Sequence, residues 1–331
     1  MGKVDISNVR HITKRRNGNN PFSPMFQNRM TPDCKWYFFM RTSIIPKHRN
    51  SPVNPKRVAL DDAPALTEKI KSWTKELGAS VVGIAKFNPN LFYKDHGALS
   101  HKCVIVFGMP MAYDTMVEIG PKSQEEVHRV YFTLDELGMR LAHRIGALGF
   151  QARTHPNSGD FPLPAYGYLA GLGEMGKHGC LLSPELGSSF RLSAVSTDLE
   201  LLIDGPQDLG YDEICTNCDI CTRFCPGEAI SPQKREVAGV LRWHVDSDLC
   251  QPHFSRMYGC KICLSVCPMS ARVPALRENY KAMAKTVREA GDAEGMLKTV
   301  IERSGMHFDE FEGVDYDPAA FGNKPKEKVL P

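Results

Sequence analysis

The sequence has no long hydrophobic run in its 331 residues. No stretch approaches the roughly 18 consecutive apolar residues of a membrane-spanning helix, so we expect no membrane span. Adjacent arginines occur near the start, in KRRNGNN, but no apolar segment follows them. Because neither a secretory nor a twin-arginine export signal is readable, we expect a cytoplasmic protein in which structural disulfides are uncommon.

Acidic residues are scarce at the start of the chain. Residues 1–60 contain twelve Lys and Arg but only two Asp, whereas the whole chain has a net charge of +3. Six prolines and a weak hydrophobic pattern predict that this basic arm is extended or disordered. The arm either lies on the acidic body of the same molecule or binds nucleic acid, an anionic cofactor or an acidic protein.

No internal repeat of 20 to 50 residues is visible, and the pattern after residue 60 is that of a globular chain. Amphipathic helices are predicted over 61–78 and 122–150, the second beginning with a capping box of Ser123 and Glu126. Strands are predicted over 80–87, 102–109 and 190–201, with the second in the centre of a sheet. The predicted α+β organisation is a basic arm (1–60), an α/β domain (61–208), a cysteine-rich domain (209–275), and a C-terminal helix over roughly 276–303 with an irregular tail (276–331).

Eight of the eleven cysteines lie between residues 215 and 267. They form C-x2-C-x2-C-x3-C-P, then a single cysteine, then C-x2-C-x3-C-P. In the bacterial two-cluster ferredoxin pattern, the first three cysteines of a motif bind one [4Fe–4S] cluster and the fourth binds the other. Cluster 1 is therefore predicted to be bound by Cys215, Cys218, Cys221 and Cys267, and cluster 2 by Cys225, Cys250, Cys260 and Cys263.

Cys250 departs from the ferredoxin repeat, because Met257 stands where a third cysteine would precede Cys260. Paired zinc sites would explain the C-x2-C spacing but not the two x3-C-P spacings. A disulfide framework is less favoured than zinc. The spacing thus predicts an electron path through two iron–sulfur clusters. Cys103, in an apolar strand, is expected to be a core residue.

The segment LAGLGEMGKHG, ahead of the cysteines, contains Gly171, Gly173 and Gly176 in a G-x-G-x-x-G spacing. A dinucleotide-binding site needs a strand before these glycines, and the preceding FPLPAYGY is a poor strand. The glycines instead favour a close approach of the backbone to a large planar cofactor.

This segment, its continuation to VSTDLEL, the cysteine pattern, RWHVDSDLC and YGCKICLSVCP together resemble the cobalamin-dependent reductive dehalogenases and the related epoxyqueuosine reductases, over about residues 60–275. The resemblance implies a nitroreductase-like α/β core that binds base-off cobalamin, with one cluster near the corrin and the other near the surface. Reduced cobalamin would attack the substrate or give it an electron, and an external ferredoxin or flavodoxin would supply the electrons. No D-x-H-x-x-G motif offers an axial histidine, and the expected cofactor contacts are Asn157, Ser158, Gly171, Gly173, Gly176 and His178.

Tyr166 falls where the resemblance places the catalytic tyrosine of the dehalogenases. The epoxyqueuosine reductases use an aspartate in a DSAP-like stretch, which here reads PNSGDFPLP, with Asp160 displaced by three positions. The resemblance therefore favours the dehalogenase branch. In it, Tyr166 would donate a proton, and Lys177 and Arg191 would lower its pKa or hold an anionic substrate. The alternatives are a core position for Tyr166 and surface or cofactor-phosphate roles for Lys177 and Arg191.

Three functions are open on the sequence alone. The first is a corrinoid- and iron–sulfur-dependent reductase that removes halide from a small organic molecule or cleaves a related carbon–heteroatom bond. The second is an epoxyqueuosine reductase whose basic arm binds the phosphates of tRNA. The third is a protein that carries electrons or a corrinoid without catalysing a reaction.

Overall fold

The computed structural model describes residue 9 and residues 26–60, 62–93, 99–157 and 159–307. The strands are β1 (Val81–Lys86), β2 (Cys103–Pro110), β3 (Ala152–His155), β4 (Glu174–Met175), β5 (Leu181–Leu182), β6 (Phe190–Thr197), β7 (Arg235–Val237) and β8 (Val240–Arg242). β1, β2, β6 and β3 form an antiparallel sheet in this order, while β4–β5 and β7–β8 are two-stranded pairs. The three predicted strands are confirmed as β1, β2 and β6, and β2 lies inside the sheet as expected.

The helices are α1 (Pro32–Phe39), α2 (Ala63–Glu76), α3 (Tyr113–Val117), α4 (Pro121–Ala147), α5 (Leu163–Leu169), α6 (Tyr211–Asn217), α7 (Ile220–Arg223), α8 (Ser247–Arg256), α9 (Ile262–Ser265), α10 (Arg277–Ala290) and α11 (Ala293–Ser304). The two amphipathic helices predicted from the sequence are α2 and α4. The single helix predicted over 276–303 is instead two helices, because Gly291 has a φ of 77° and ends α10. Among the described residues, no helix combines the length and the apolar character that crossing a membrane requires.

The predicted capping box of α4 is wrong in its register. The helix begins at Pro121, after Gly120, and Ser123 is its third residue, with an Oγ that accepts from the N–H of Gly120. Glu126 lies beyond the first turn, accepts a hydrogen bond from the N–H of Ala112 and forms an ion pair with Arg129. Proline at the first helical position, which needs no N–H partner, sets the start of the helix earlier than the pattern indicated.

The two faces of the sheet pack against different helices. Along β2, Ile105 and Phe107 pack in the core that contains α4, whereas Val104 and Val106 pack in the core that contains α5. This alternation follows from the two-residue period of a strand. We call these the α4 face and the α5 face. The α4-face core extends into the cysteine-rich region and the last helices, so one core joins parts of the chain that the sequence assigned to separate domains: Phe224, Ile262, Leu264, Val266, Met283 and Val300.

Both outer edges of the sheet are covered. Residues 49–51 run beside β3, with hydrogen bonds from Ser51 to Ala152 and from Thr154 to Arg49. On the other edge, the N–H of Asp204 donates to the carbonyl of Ile84, and its carboxylate accepts from the N–H of the same residue. Covering an edge satisfies backbone groups that would otherwise be open to another strand.

The prediction of an extended or disordered arm is wrong for residues 26–48, which contain helical segments, whereas residues 49–60 contain no helix or strand. α1 starts at a Thr31 cap whose hydroxyl accepts from Cys34, and a π-helix (Met40–Ile44) and a 3-10 helix (Ile45–His48) follow it. Arg41, one of the basic residues, is buried and paired with Asp135 of α4. At least one basic residue of this segment therefore pairs with an acidic residue inside the same molecule. Residues 10–25 of the arm lie outside the described residues.

Candidate active site

The eight cysteines of residues 215–267 interact electrostatically with one another. Among the described residues, no group of three or more His, Cys, Asp or Glu side chains is placed to hold a metal ion in this structure. Beyond burial, the neighbours that raise the pKa of Cys267 are Cys221, Cys215 and Cys218, so Cys267 lies with the first motif. Among the charges that raise the pKa of Cys250, beyond burial, are those of Cys260 and Cys225. The charges of Cys260 and Cys250 likewise raise the pKa of Cys263. The assignment of these cysteines to two clusters stays a prediction. We call the two predicted sets the first cysteine group (Cys215, Cys218, Cys221, Cys267) and the second cysteine group (Cys225, Cys250, Cys260, Cys263).

The donor set of each group fits an iron–sulfur cluster. All eleven cysteines are free of disulfide bonds. Burial, with the charges of neighbouring cysteines, raises the pKa of Cys221 and of Cys250 to about 12, so thiolates need a positive centre to be stable there. Soft thiolates in sets of four are the ligands of [4Fe–4S] clusters. Cys221 also interacts with Cys263, which brings the two groups next to each other.

A buried tryptophan and two lysines lie beside the first cysteine group. Trp243 packs in one small core with Cys215 and Cys267. The Nζ atoms of Lys177 and Lys234 lie 4.9 Å and 5.4 Å from the centre of its ring. Lys177, which the sequence placed beside Tyr166, therefore belongs to the surroundings of the first cysteine group.

Different side chains surround the second cysteine group. Lys261, between two of its cysteines in sequence, is buried and donates to the carbonyls of Tyr258 and Gly259 at 3.0 Å and 2.6 Å. Burial, with the nearby Arg191, lowers the pKa of Lys261 to about 7. Cys180 also lies near this group, since its charge raises the pKa of Cys263.

The ring of Tyr131 of α4 lies near two guanidinium groups. The Cζ atoms of Arg41 and Arg191 are 4.3 Å and 5.3 Å from the centre of its ring. Arg191 reaches it from β6, on the α4 face of the sheet. His128, one helical turn before Tyr131, has its pKa lowered to about 3 by burial and by the charges of Arg41, Lys261 and Arg191.

Several buried polar atoms on the α4 face have no hydrogen-bond partner among the described residues. They include the guanidinium Nε of Arg191, the hydroxyl of Ser189, one carboxylate oxygen of Asp135 and both amide atoms of Gln124. Buried polar groups without partners are rare, and they often mark a place that a ligand or water completes. A corrin carries amide side chains that offer such partners, so the residues present fit a cofactor of this kind.

The expectation that cations flank Tyr166 is wrong. Tyr166 is fully buried on the α5 face, where its hydroxyl accepts from the N–H of Asn88 and donates to the carbonyl of the same residue. Burial raises its pKa, against a smaller lowering by Asn88. Arg191 lies on the opposite face, beside Tyr131. Its surroundings make Tyr166 a core residue, the alternative that the sequence left open.

The three glycines of LAGLGEMGKHG are explained by contacts within the chain. A Cβ on Gly171 would lie 2.7 Å from the carbonyl of Gly205, and one on Gly173 would collide with the carbonyl of Leu182. A Cβ on Gly176 would lie 2.9 Å from the side chain of Leu182. The close approach inferred from the sequence is therefore an approach of the chain to itself, and a cofactor contact at these glycines stays a prediction.

The other predicted cofactor contacts differ in their surroundings. His178 is buried, its Nδ1 accepts from the N–H of Cys180, and its Nε2 has no partner among the described residues. A donor of this kind fits an acceptor on a bound group. Asn157 is exposed after β3, and Ser158 lies outside the described residues.

Asp160 lies in a closed network on the α5 face. Its carboxylate pairs with Arg49, with Arg153 at 3.1 Å and with His155 at 2.8 Å. Burial alone would raise its pKa, but the hydrogen bond from His155 and the three positive partners bring it below the ordinary range. Asp160 therefore stays ionised and does not serve as a proton donor.

The comparisons with known proteins agree with this geometry. The family model of the 4Fe-4S dicluster domain matches residues 214–271. A tetrachloroethene reductive dehalogenase of Desulfitobacterium hafniense is 31% identical over 205 residues, which cover 57% of this chain and 36% of that protein. An epoxyqueuosine reductase of Xanthomonas campestris is 30% identical over 143 residues, 41% of this chain and 39% of that protein. The homologues of this chain are reductive dehalogenases and epoxyqueuosine reductases.

The chain spans about a third of the length of the tetrachloroethene dehalogenase that it matches. Among solved structures, a catabolic reductive dehalogenase superposes with a TM-score of 0.69 at 22% identity, over 91% of this chain and 47% of that one. This likeness establishes a dehalogenase-type fold of mixed helix and sheet around a dicluster domain.

Sequence reasoning missed Tyr131, Arg41 and Lys261 as site residues. Tyr131 was counted with the apolar face of α4, Arg41 with the basic arm, and Lys261 stood unnoticed between two cysteines. The alternation of β6 gives one usable signal, because it places Arg191 on the face of Val195 and hence toward α4. Nothing in the sequence alone brings Arg41 to the same place.

Proposed function

We propose that the chain is the redox part of a corrinoid- and iron–sulfur-dependent oxidoreductase that removes halide from a small organic molecule or cleaves a related carbon–heteroatom bond. The observation that carries this proposal is a tyrosine in contact with two arginines, one of which, Arg191, interacts with Lys261 in the cysteine-rich region. That arrangement joins an electron path to a proton donor, which are the two needs of a reductive cleavage. The relatives named as tetrachloroethene and trichloroethene reductive dehalogenases support the choice of reaction.

The two cysteine groups would each hold a [4Fe–4S] cluster. Electrons from an external ferredoxin or flavodoxin would enter at one cluster and pass through the second cysteine group toward Tyr131. The interaction between Cys221 and Cys263 supports transfer between neighbouring clusters. Arg191 and His178 would contribute buried N–H donors to the corrin, whose bound form supplies a strongly reducing metal centre.

Tyr131 replaces Tyr166 as the proposed proton donor. Its ring lies against the guanidinium groups of Arg41 and Arg191, and its hydroxyl would give its proton to a developing carbanion. Arg41 is itself held by Asp135 at 3.0 Å, which fixes one of the two cations relative to the ring. Lys177 would place a positive charge beside the first cysteine group, and Arg191 would place one beside the ring of Tyr131.

Two observations favour this function over tRNA modification. Asp160, nearest in sequence to the acid of the epoxyqueuosine reductases, is ionised in a closed network. Residues 26–60 pack onto the body, so this part of the arm is not free to follow a nucleic acid.

The test uses the anaerobically purified holoprotein. Iron, sulfide and cobalt per chain are measured first, and about eight irons with one cobalt are expected. Chloroethenes and halogenated aromatics are then added while the corrinoid spectrum and the released halide are followed. Metal loading with halide release supports the proposal. Loading without turnover on any halide favours a carrier protein, and salt-sensitive tRNA binding with turnover of a modified tRNA favours the epoxyqueuosine reductase.

The predicted exchange of ligands gives a separate check. Cys267→Ser should remove cluster 1 although Cys267 lies in the second motif, and Cys225→Ser should remove cluster 2 although Cys225 lies in the first. Each variant should retain about four irons per chain. If Cys267→Ser and Cys260→Ser removed the same cluster, the exchange would be wrong.

A further inference from the structure

A strained turn connects two cysteines of the second group. Cys250 lies on α8, and Cys260 follows a turn at residues 257–259, in which Tyr258 and Gly259 have φ values of 52° and 76°. The N–H groups of Gly259 and Cys260 both donate to the carbonyl of Phe254. A tyrosine in the left-handed region is unfavourable unless its surroundings hold it there. The distance between two ligands of the group thus depends on what holds Tyr258.

Residues near the start of the described chain make that contact. The guanidinium of Arg29 lies over the ring of Tyr258 at 4.0 Å, and its Nη1 donates to the carbonyl of Arg256 at 2.6 Å. Phe26 stacks on Phe254 with ring centres 5.8 Å apart. Arg29 therefore contacts this part of the chain at two points: the ring of Tyr258 and the carbonyl of Arg256, the last residue of α8.

Lys261 holds the same turn from inside the molecule. Its ammonium donates to the carbonyls of Tyr258 and Gly259, so the turn is fixed on the side of the cysteines. Arg29 contacts the ring of Tyr258 and the carbonyl of Arg256, whereas Lys261 binds the carbonyls of Tyr258 and Gly259, so the two cations act on different atoms.

We propose that Arg29 is a positioning residue for cluster 2, which it stabilises by holding the 257–259 turn between Cys250 and Cys260. Arg29 touches neither substrate nor reacting atoms. The turn takes the place of the third cysteine of a ferredoxin motif, and the N-terminal segment supplies the support that the altered spacing requires. The proposal rests on the proposed function only in requiring a cluster at the second cysteine group, not in any reaction.

The test follows iron release from the anaerobic holoprotein into an excess of bathophenanthroline. In Arg29→Ala, about half of the iron should leave about tenfold faster than in the wild type, because a cation–π contact and a charged hydrogen bond are lost together. The other half should leave at the wild-type rate. Electron paramagnetic resonance of the reduced protein should show the interaction between two clusters disappear with the fast phase, leaving the signal of one isolated cluster.

Three variants sharpen the outcome. Arg29→Lys keeps the charge but not the flat guanidinium, so it should restore part of the wild-type rate. Tyr258→Phe keeps the ring and should behave as the wild type, whereas Tyr258→Leu should resemble Arg29→Ala. Lys35→Ala removes an exposed cation from the same segment and should leave both phases unchanged.

Wild-type rates for both halves of the iron in Arg29→Ala would overturn the proposal, as would an equal acceleration of both halves, which indicates a general loss of fold. A wild-type protein that holds no second cluster would overturn this proposal and the iron–sulfur part of the proposed function together. Normal cluster behaviour without turnover would overturn only the proposed reaction.

Discussion

The two faces of the sheet contain the same kinds of side chain in opposite states. On the α5 face, Asp160 meets His155 and two arginines, and Tyr166 has both its donor and its acceptor role filled by Asn88. On the α4 face, Asp135 forms an ion pair with Arg41, and the ring of Tyr131 contacts two cations. Three positive partners stabilise an ionised carboxylate more than one does.

The pKa values of the two aspartates express this difference. Burial raises the pKa of Asp135 to about 6, because Arg41 offsets only part of the cost of removing the carboxylate from water. The pKa of Asp160 lies below the ordinary range, since its partners outweigh a similar burial. The same residue type is thus held ionised on one face and is more easily protonated on the other.

The largest expected effect separates the two tyrosines. Tyr131→Phe should lower the rate of halide release by about 10²–10⁴-fold, because the proton donor is lost. Tyr166→Phe should leave that rate nearly unchanged and lower the unfolding temperature, since the peptide of Asn88 loses a buried partner. Single-turnover assays on samples with equal iron and cobalt measure the rates. A slow Tyr166→Phe beside a fast Tyr131→Phe would reverse the assignment.

The next effect separates the two aspartates. Asp160→Asn should lower the free energy of unfolding by about 3–5 kcal/mol, because Arg49 is left buried without its carboxylate. Asp135→Asn should cost less, since burial already favours the neutral form of that side chain. Urea unfolding at pH 7.5, followed by circular dichroism, compares the two. Equal costs would show that the two networks are equally complete.

A smaller effect concerns pH. Burial lowers the pKa of His155 from its ordinary 6.5 to about 4, against the raising effect of Asp160. The unfolded state therefore binds a proton that the folded state does not, so this stability is complete above pH 6.5 and is lost as pH falls toward 4. At pH 5.5 the loss is about 1 kcal/mol.

In His155→Gln, the slope of unfolding free energy against pH between 6.5 and 5 should become shallower by about one proton. His143, which is exposed, supplies the control, and His143→Gln should retain the wild-type slope. An unchanged slope in His155→Gln would mean that His155 is protonated in the folded protein.

The smallest effect is expected for an ion pair outside both networks. Lys102 and Glu200 lie 2.9 Å apart with 58% and 79% of their side chains exposed. Solvent and mobile ions screen such a pair, so Lys102→Ala should leave the unfolding temperature unchanged within error. A clear drop would show that exposed pairs contribute to this fold as the buried networks do.

The sequence predicted the regular parts of this molecule better than its site. β1, β2 and β6 were readable because β-branched and apolar residues fill them, whereas β3 was missed since ARTH shows no such pattern. The two cysteine sets followed from spacing, because a cluster fixes which ligands must meet.

The proton donor was not readable in the same way. Tyr166 and Tyr131 both lie on helices that precede Arg191 in sequence. They differ in the face of the sheet on which they lie, which the sequence does not show. Arg41 reaches Tyr131 from 90 positions away in sequence, through a segment whose prolines and charges are typical of disorder. Long-range pairing of charges, unlike periodicity, leaves no local mark on a sequence.

The covered flanks of the sheet also limit how this molecule meets others. Residues 49–51 pair with one flank, and Asp204 occupies the peptide groups of Ile84 on the other, so a foreign strand cannot pair at these positions. At these positions, electron donors and other partner proteins must bind through side chains, which vary readily in evolution. Backbone pairing of copies into fibrils is disfavoured there for the same reason.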